Sequence, residues 1–390
     1  MPSAPIKHLR QGVTLPHRRP SPQGATTVEV VDTTSPQVTV GMATYNGATY
    51  LAESITSILN QNFQDWELLI VDDNSADNSV EIISRFSDSR IRLLRNSENL
   101  GLVATRNRIM DESRGVFLAW LDQDDLAAKD RLFTQVQFLE SHSHISACGS
   151  FTETIIEQAG LPPRERLRVL PTSHRDIRAA LPFLNPMACN TVTMRTQDFR
   201  GRGLRFRPEF GNSLDYDIWS QASDRLLFEN IARPLGAYRV HPHQTSRGAA
   251  LELMNQHAIR VQVELIERSL CIPVSTAQRS IHASATIAPL NISDAEHLLE
   301  IASWFASLRQ ANFRHRAFDV KSFDEMLMRQ WTTCLLAAHT AMGQASFRRA
   351  AARGTQRIHP KIRPAIRSLA SGVHRRRIQH TRPAVSRTDF

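Results

Sequence analysis

Short apolar runs alternate with amphipathic segments over the first third of the chain. The apolar runs at residues 38–42, 66–71, 91–94 and 116–121 have the lengths of strands, and the longer ones resemble strands buried on both faces of a sheet. Between the first two runs, Leu51, Ile55 and Ile58 recur at helical spacing, and residues 103–110 fit a further helix. The pattern predicts an α/β fold, Rossmann-like, with a mostly parallel sheet between helices.

The second half of the chain changes character. The apolar spacing at residues 251–270, 298–308 and 323–342 is helical, without the alternation of strands. These segments predict a C-terminal α-helical extension over residues 247–345. Such an extension can dock on the sheet, line a binding site or dimerise.

Polar residues follow three of the predicted strands at the point where each strand ends. Because the carboxyl ends of parallel strands meet at one edge of a sheet, where open α/β folds bind ligands, we expect these side chains to converge. The three junctions carry Thr44, Tyr45 and Asn46, then Asp72 and Asp73, then Asp122, Asp124 and Asp125.

The acidic cluster of Asp122, Asp124 and Asp125 has two interpretations. Carboxylates this close repel one another unless a cation lies between them, and a hard divalent cation is the usual solution. Alternatively, the acids cap a helix that begins near Lys129. Taken alone, this stretch does not choose between a metal site and a helix cap.

Composition narrows the class of protein. Hydrophobic residues make up 41% of the 390 residues and charged residues 22%, which are globular values. No GxGxxG follows the first strand, which argues against a dinucleotide dehydrogenase, and no GxxxxGK[ST] occurs, which argues against a P-loop NTPase. The four cysteines lie far apart without a CxxC pair, so we expect no zinc site and a reducing compartment.

The two ends of the chain differ from its body. Residues 1–36 hold six prolines and little apolar periodicity, which predicts a disordered leader. Residues 346–390 form a basic tail with 12 Lys and Arg against one acid. In this tail Ile358, Ile362 and Ile366 recur beside arginines, a pattern that fits an anionic membrane surface as well as a solvated tail. No recognition motif accompanies the charge, so we expect no nucleic-acid partner.

Membrane-spanning segments are not predicted. No apolar run reaches 18 residues, and the N-terminus has no apolar signal core. We therefore expect a cytoplasmic protein, soluble or peripheral on the inner face of the plasma membrane.

Several of these stretches together resemble one enzyme family. TYNG, LLIVDDNSADNS, NLGLVATRN and FLAWLDQDD resemble the nucleotide-sugar half of the inverting family 2 glycosyltransferases, which have the GT-A fold. NPMACNTVTMR, LDYDIW and YRVHPHQTS resemble the acceptor half of the same family. The resemblance implies a GT-A domain over residues 37–246, with a nucleotide-sugar half at 37–125 and an acceptor half at 126–246.

The resemblance also implies roles for individual residues. It assigns Thr44, Tyr45, Asp73 and Arg106 to the nucleotide, and Tyr45 can stack on a base while Asp73 accepts hydrogen bonds. Each also has an ordinary explanation as a core, capping or surface residue. The expected donor-binding set is Thr44, Tyr45, Asn46, Asp73, Arg106, Asp122, Asp124, Asp125, Arg239 and His241. The last two belong to the closing YRVH motif, where Arg239 or His241 can hold phosphate.

The triplet Asp122-Gln123-Asp124 resembles the DxD motif of the family, which binds Mg²⁺ or Mn²⁺ together with the donor diphosphate. Such an ion takes one or two protein carboxylates plus phosphate oxygens, so not all three acids are needed. Asp124 is the expected ligand, and Asp122 is expected at the ribose or at a metal-bound water. The metal then acts as a Lewis acid on the departing phosphate.

The general base of the family falls on Asp215, in the stretch NSLDYDIW. Asp217 is the competing candidate, although a structural role suits it better. The sequence departs from the family at Leu214, where Glu is usual, and at Cys189, where His is frequent.

These observations predict a metal-dependent inverting glycosyltransferase. Its donor is expected to be UDP- or dTDP-linked, and its acceptor a glycan or lipid-linked hydroxyl of the cell-envelope or exopolysaccharide type. A nucleotidyltransferase is a rival that TYNG does not support, because that class begins with a Gly-rich loop bearing Lys or Arg. A catalytically degenerate nucleotide-sugar-binding module is a second rival, which the change at Leu214 keeps open.

Overall fold

The structure, a computed structural model, describes residues 35–158, 161–241, 244 and 248–360. Its first part consists of four parallel strands in the order β3-β2-β1-β4 with helices between them. All seven residues of β2 are buried, as expected for a strand covered on both faces. The elements are β1 Val38–Thr44, α1 Leu51–Leu59, β2 Trp66–Asp72, α2 Ser79–Ser84, β3 Ile91–Arg95, α3 Leu102–Glu112 and β4 Phe117–Trp120.

The sheet continues beyond β4 as β8-β6-β9-β5, with β7 paired to β6. Here β8 is antiparallel to both β4 and β6, while β6 and β9 are parallel. The sheet is therefore parallel in its first part and mixed in its second. The elements are β5 Leu126–Ala127, α4 Arg131–Ser141, β6 Ala147–Gln158, β7 Leu161–Arg168, α5 His174–Ala180, β8 Thr193–Arg195, α6 Thr196–Arg200, α7 Leu214–Ala222 and β9 Phe228–Val240.

Five helices follow the sheet and share its core. Phe183, after α5, lies 6.0 Å from the ring of Phe305 and 5.7 Å from that of Phe323, so the helices dock on the second part of the sheet domain. Three of them begin with a side-chain cap, from Ser275, Asp294 and Asp319. The helices are α8 Ala249–Leu270, α9 Thr276–Thr286, α10 Ala295–His315, α11 Val320–Ala341 and α12 Gln344–Ile358.

The α/β class, the four early strands and the C-terminal helices were all expected from the hydrophobic pattern. The boundary between the helical extension and the basic tail differs from the prediction, because α12 lies partly inside the stretch assigned to the tail. This helix buries Ala350, Ala351 and Gly354 against the helical core. The leader up to residue 34 and the tail from residue 361 lie outside the described residues. Within the described ranges, none of the helices has the length and apolar character needed to cross a bilayer.

Candidate active site

The polar loops that follow β1, β2 and β4 meet at one edge of the sheet, as the strand pattern predicted. They surround a cavity of about 470 Å³, here called the edge cavity. Tyr45 stands at this cavity with 46% of its surface exposed, whereas Thr44 and Asp73 are buried. The edge cavity is lined in part by Thr44, Tyr45, Asp73, Arg106, Asp122 and Asp124.

Gln123 ties the loop after β1 to the loop after β4. Its Oε1 accepts hydrogen bonds from Thr44 Oγ1 at 2.6 Å and from the Tyr45 backbone N–H at 3.0 Å. Gly47 belongs to the same contact, because an added Cβ there would lie 2.2 Å from Gln123 Oε1. Thr44 thus holds the loop in the structure, and its expected contact with a nucleotide stays a prediction.

Asn46 performs a similar task between the first two loops. Its Oδ1 accepts from the Ala76 backbone N–H at 2.9 Å, and its own N–H donates to Ser75 Oγ at 2.9 Å. The residue has a φ of 47°, a left-handed conformation that asparagine tolerates better than most residues. Asn46 therefore fixes the relative position of the loops that carry Tyr45 and Asp73.

Asp73 organises the loop that leads into α3. Its Oδ1 accepts from Asn96 Nδ2 at 2.6 Å and from Leu100 N–H at 2.9 Å, and its Oδ2 accepts from Gly101 N–H at 2.8 Å. A carboxylate has about four acceptor sites, so about one is left for a ligand. The NLG stretch is thus held against the floor of the edge cavity.

Arg106 and Asp122 form an ion pair inside the site, with 2.5 Å between Nη2 and Oδ1. The other Nη of Arg106 donates to Cys189 Sγ at 3.2 Å. Burial works against the charge of Arg106, but the carboxylates of Asp122 and Asp215 outweigh it and leave the pKa of the guanidinium above its ordinary value. Burial raises the pKa of Cys189 to about 12, so this thiol is neutral. Arg106 is a fixed positive charge between Asp122 and Asp215.

Asp124 contacts His241, from the closing motif, with 3.0 Å between Oδ2 and Nε2. Burial and the charge of Asp122 raise the pKa of Asp124, while His241 acts in the opposite direction. Among the described residues, no group of three or more His, Cys, Asp or Glu side chains is arranged to hold a metal ion. The protein thus offers a pair of carboxylates here rather than a complete set of metal ligands.

Asp125 and Arg239 lie behind this pair. Asp125 is fully buried, its Oδ1 accepts from the Arg239 backbone N–H at 2.9 Å, and burial raises its pKa well above the ordinary value. The guanidinium of Arg239 donates to the Asp124 carbonyl at 3.0 Å, to Glu157 at 2.8 Å and to Glu53 at 2.6 Å. Arg239 lines a different cavity from that of Asp73 and Tyr45, so the structure gives it a bracing position and its expected contact with phosphate stays a prediction.

Asp215 lies in the first turn of α7 and is half-buried. Its Oδ2 accepts a hydrogen bond at 2.8 Å from Nδ2 of Asn185, the residue that begins the Asn-Pro stretch. The residue lines two cavities of about 530 and 520 Å³, and Asp122 lines both of them as well as the edge cavity. The cavity of about 530 Å³ is here called the hairpin cavity, because the hairpin of β6 and β7 contributes Thr152, Thr154 and Arg168 to its wall.

The competitor of Asp215 is not available for chemistry. Asp217 is buried and accepts from Arg207 Nε at 2.9 Å, from Arg207 Nη2 at 2.5 Å and from Gln221 at 2.7 Å. Leu214, where the family resemblance led us to expect an acid, is buried. It gives an apolar wall to the cavity of about 520 Å³ that Asp215 also lines.

Three residues at the site escaped the sequence analysis. Asn185 positions Asp215, Gln123 ties two loops, and Arg168 enters the hairpin cavity from β7. Gln123 and Asn185 lie inside motifs that were noticed for other residues. Only the pairing of β7 with β6 brings Arg168 near Asp215, and the local sequence carries no signal for it.

Comparison with known proteins shows the family of this chain. The model of glycosyl transferase family 2 matches residues 39–201. An uncharacterized glycosyltransferase of Haemophilus influenzae is 33% identical over 54% of this chain and 68% of its own length. The molecule is therefore a glycosyltransferase. The chain belongs to glycosyltransferase family 2.

One further relative and one solved structure carry more specific descriptions. The UDP-Glc:alpha-D-GlcNAc-diphosphoundecaprenol beta-1,3-glucosyltransferase WfgD of Escherichia coli is 38% identical over 26% of this chain and 40% of its own length. The crystal structure of S. aureus TarS 1-349 in complex with UDP-GlcNAc superposes with a TM-score of 0.50 at 16% identity, covering 80% of this chain and 92% of that one. The likeness to TarS, together with the family match, confirms the expected GT-A fold.

Proposed function

We propose that the protein transfers a sugar from a nucleoside diphosphate donor, UDP- or dTDP-linked, to a hydroxyl group of a glycan or lipid-linked acceptor, with inversion at the anomeric carbon. The observation that carries the proposal is the position of Asp122, which lines the edge cavity and both cavities that contain Asp215. A donor in the edge cavity and an acceptor beside Asp215 would therefore meet at this residue.

Donor binding is assigned to the edge cavity. The exposed ring of Tyr45 is free to stack on a base, and the remaining acceptor site of Asp73 is suited to a base N–H or a ribose hydroxyl. Arg106 provides a fixed positive charge next to Asp122. The other donor-side residues, Thr44 and Asn46, keep the loops in place for this contact.

Mg²⁺ or Mn²⁺ is assigned to Asp124 with Asp122. The donor set fits, because an ion of this kind takes one or two protein carboxylates and completes its shell with phosphate oxygens and water. Asp124 is the better ligand, since Asp122 is held by the permanent charge of Arg106 at 2.5 Å, whereas Asp124 has the longer contact of 3.0 Å with His241. When bound, the ion supplies Lewis acidity at the departing diphosphate.

Asp215 is assigned as the general base. Asn185 holds its Oδ2 at 2.8 Å, which leaves Oδ1 to take the proton of the acceptor hydroxyl. The hydroxyl oxygen forms the new bond to the anomeric carbon as the bond from that carbon to the diphosphate breaks. One base and one displacement give inversion, and among the acids of α7 only Asp215 lines the cavities next to Asp122.

The acceptor and the place of action follow from the relatives. The name of WfgD gives that enzyme a diphosphoundecaprenol-linked acceptor, which supports our assignment of this chain to polysaccharide synthesis on a lipid-linked acceptor. Such an acceptor lies in a bilayer, which is consistent with a peripheral position on the inner face of the plasma membrane.

Replacement of the base tests the mechanism. We expect Asp215→Asn to lower kcat by about 10²- to 10⁴-fold while the KM for the donor stays within about twofold, because the base acts on the acceptor. Steady-state transfer assays with a panel of nucleotide sugars provide the measurement. Wild-type turnover in the Asn variant would remove Asp215 from the mechanism.

Asp217→Asn is the matched control, since it makes the same chemical change two residues away. It weakens the pairing with Arg207 and is expected to lower the melting temperature, with kcat per folded molecule close to that of the wild type. If the wild-type chain binds UDP with Mn²⁺ in calorimetry but neither hydrolyses nor transfers any sugar of the panel, it is the degenerate binding module instead.

A further inference from the structure

The hairpin of β6 and β7 separates charges onto its two faces. In its register Thr152 lies opposite Arg168, Thr154 opposite Arg166 and Ile156 opposite Arg164. Directly opposite residues of an antiparallel pair share a face, and every second residue of a strand returns to that face. Arg164, Arg166 and Arg168 therefore form one row, here called the arginine stripe.

The opposite face of the hairpin is acidic. Glu153 and Glu165 line a separate cavity of about 520 Å³ together with Glu53 and Arg239. Glu157 is on that side as well, because it accepts from Arg239 at 2.8 Å and from Tyr50 Oη at 2.6 Å. The acids of the hairpin and its arginines thus face away from each other.

The arginine stripe begins at the reaction site. Thr152, Thr154 and Arg168 line the hairpin cavity together with Asp215. A guanidinium N–H of Arg168 donates to the carbonyl of Asn185 at 3.1 Å, and the side chain of Asn185 donates to Asp215. Since a strand rises about 3.3 Å per residue, the stripe runs roughly 13 Å outward from this point.

The charge of the stripe is offset only in part among the described residues, where Asp215 acts on Arg168. In the described part of the chain, none of the three arginines forms an ion pair with a carboxylate, although most other arginines near the site do. Arg164 and Arg166 are exposed, so their guanidinium groups are accessible to a ligand. A row of unpaired arginines that leads out of an acceptor cavity is suited to a ligand with several negative charges, because each guanidinium fork matches phosphate oxygens.

We propose that the arginine stripe binds the phosphate groups of a diphosphate-linked acceptor while the sugar hydroxyl of that acceptor lies at Asp215. The inference rests on the proposed function and adds the chemical class of the acceptor. The diphosphate of the donor is not the ligand of the stripe, since it is assigned to the edge cavity on the other side of Asp122. The outer arginines, Arg164 and Arg166, determine acceptor affinity without touching the reacting atoms.

Equilibrium binding of two matched probes tests the proposal. One probe is N-acetylglucosamine linked through a diphosphate to a short alkyl chain, and the other is the neutral alkyl glycoside of the same sugar. For the double variant Arg164→Gln/Arg166→Gln we expect the Kd of the diphosphate probe to rise about tenfold or more, with no change for the neutral probe. Binding of the diphosphate probe to the wild type is expected to weaken with added salt, because the contacts are exposed.

Arg279→Gln/Arg329→Gln is the control, because it removes two exposed arginines from the helical extension and the same net charge. It is expected to bind both probes like the wild type. An equal Kd for the stripe variant and the wild type, or no binding of the diphosphate probe to the wild type, overturns the proposal. The proposal is also overturned if the stripe variant binds the diphosphate probe like the wild type but no longer binds a phosphodiester polymer or anionic vesicles. The stripe would then bind a polymer or a membrane.

Hydrolysis of UDP-glucose by the same variants separates the two proposals. If the wild type and the stripe variant hydrolyse the donor equally and bind the diphosphate probe equally, only the stripe assignment fails. A second outcome is that the wild type neither hydrolyses a donor nor transfers a sugar, while the stripe variant binds the diphosphate probe more weakly than the wild type. The transferase mechanism then fails and the stripe assignment stands.

Discussion

The buried histidine His282 illustrates how a single residue away from the reaction site contributes to stability. His282 is fully buried between the sheet domain and α10, where Trp304 Nε1 donates to its Nδ1 at 3.0 Å and its Nε2 lies 3.0 Å from the Pro182 carbonyl. The two contacts require a neutral ring with the proton on Nε2, since a proton on Nδ1 would meet the indole N–H. Burial lowers the pKa of His282 to about 4, against an ordinary value of 6.5.

This pKa shift predicts a loss of stability in acid. Between pH 6.5 and pH 4 the unfolded chain binds a proton at His282 that the folded chain excludes, so the free energy of unfolding falls as the pH falls. We expect His282→Gln, which keeps a donor and an acceptor, to remove up to about 3 kcal/mol of that pH dependence. Urea unfolding of both proteins at pH 7, 6 and 5 provides the measurement, and parallel pH profiles would contradict the assignment.

Asp122 is the residue at which the cavities of the site meet. Its ion pair with Arg106 is only partly exposed, and Arg106 in turn reaches Cys189. Cys189 lies where the family resemblance led us to expect His, and its neutral thiol leaves Arg106 with Asp122 as its carboxylate partner. The departure at position 189 is therefore compatible with a charged and fixed Arg106.

At the scale of elements, α12 shows how a helix of low hydrophobicity is held in place. It packs on α10 and α11 through small residues, and Trp331 Nε1 donates to Thr355 Oγ1 at 2.9 Å. Gly354 permits this approach, because an added Cβ would lie 2.5 Å from the ring of Trp331, which is fully buried. A glycine in mid-helix is otherwise unfavourable by about 1 kcal/mol, so close packing is the physical reason for its presence.

Gly354→Val is therefore expected to destabilise the protein. Overpacking against Trp331 costs about 1–3 kcal/mol and lowers the melting temperature by a few degrees. Gln356→Val is the matched control, since Gln356 is exposed two residues further along α12, and its free energy of unfolding is expected to stay within about 0.5 kcal/mol of the wild type. A melting temperature for Gly354→Val equal to that of the control would show that α12 is not packed in this way.

At the scale of the whole molecule, positive charge is concentrated at the C-terminal end of the sequence. Residues beyond Pro360 include Arg363, Arg367 and the run from Arg375 to Arg377, with Asp389 as the only acid. Basic residues near an anionic bilayer contribute about 1 kcal/mol each. Together with the proposed lipid-linked acceptor, this distribution leads us to propose that the C-terminal sequence attaches the enzyme to the membrane surface.

Sedimentation with vesicles tests this attachment. We expect the full chain to sediment with vesicles of phosphatidylglycerol and phosphatidylcholine, and to do so less at high salt. A chain ending at Pro360 keeps α12 and is expected to stay in solution. Vesicles of phosphatidylcholine alone are the control, and equal sedimentation of the two chains with anionic vesicles would refute the proposal.

The sequence was informative where local patterns determine structure. The apolar runs located β1 to β4 within two residues at each end. For β1, β2 and β4 the reason is burial on both faces, which tolerates few polar side chains, whereas β3 is half-buried. The spacing of apolar residues also located α8, α10 and α11. The short strands β5 and β8 and the pairing of β6 with β9 were not visible, since their partners are distant in sequence. The hairpin of β6 and β7 is local, but the apolar pattern did not predict it.

The same distinction applies to the site. The strand ends indicated Asp122 and Asp124, because the position of a residue after a buried strand is a local property. Asp215 was named from the resemblance of its stretch to a family motif, and the roles of all three residues stay predictions. These motifs were not sufficient to show that Thr44 holds Gln123, that Arg239 braces Asp124 from behind, or that Asn185 holds Asp215. Those contacts join residues that are far apart along the chain.

By itself, the sequence determined the class of fold, the family and the acids at the edge of the sheet, since hydrophobic periodicity and contiguous motifs are written along the chain. Only the tertiary structure decided that Asp122 joins three cavities, that Asp217 is occupied by Arg207, and that the arginines of β7 form one row beside Asp215. The physical reason is strand register, because a shift of one residue between β6 and β7 would move every one of those arginines to the opposite face.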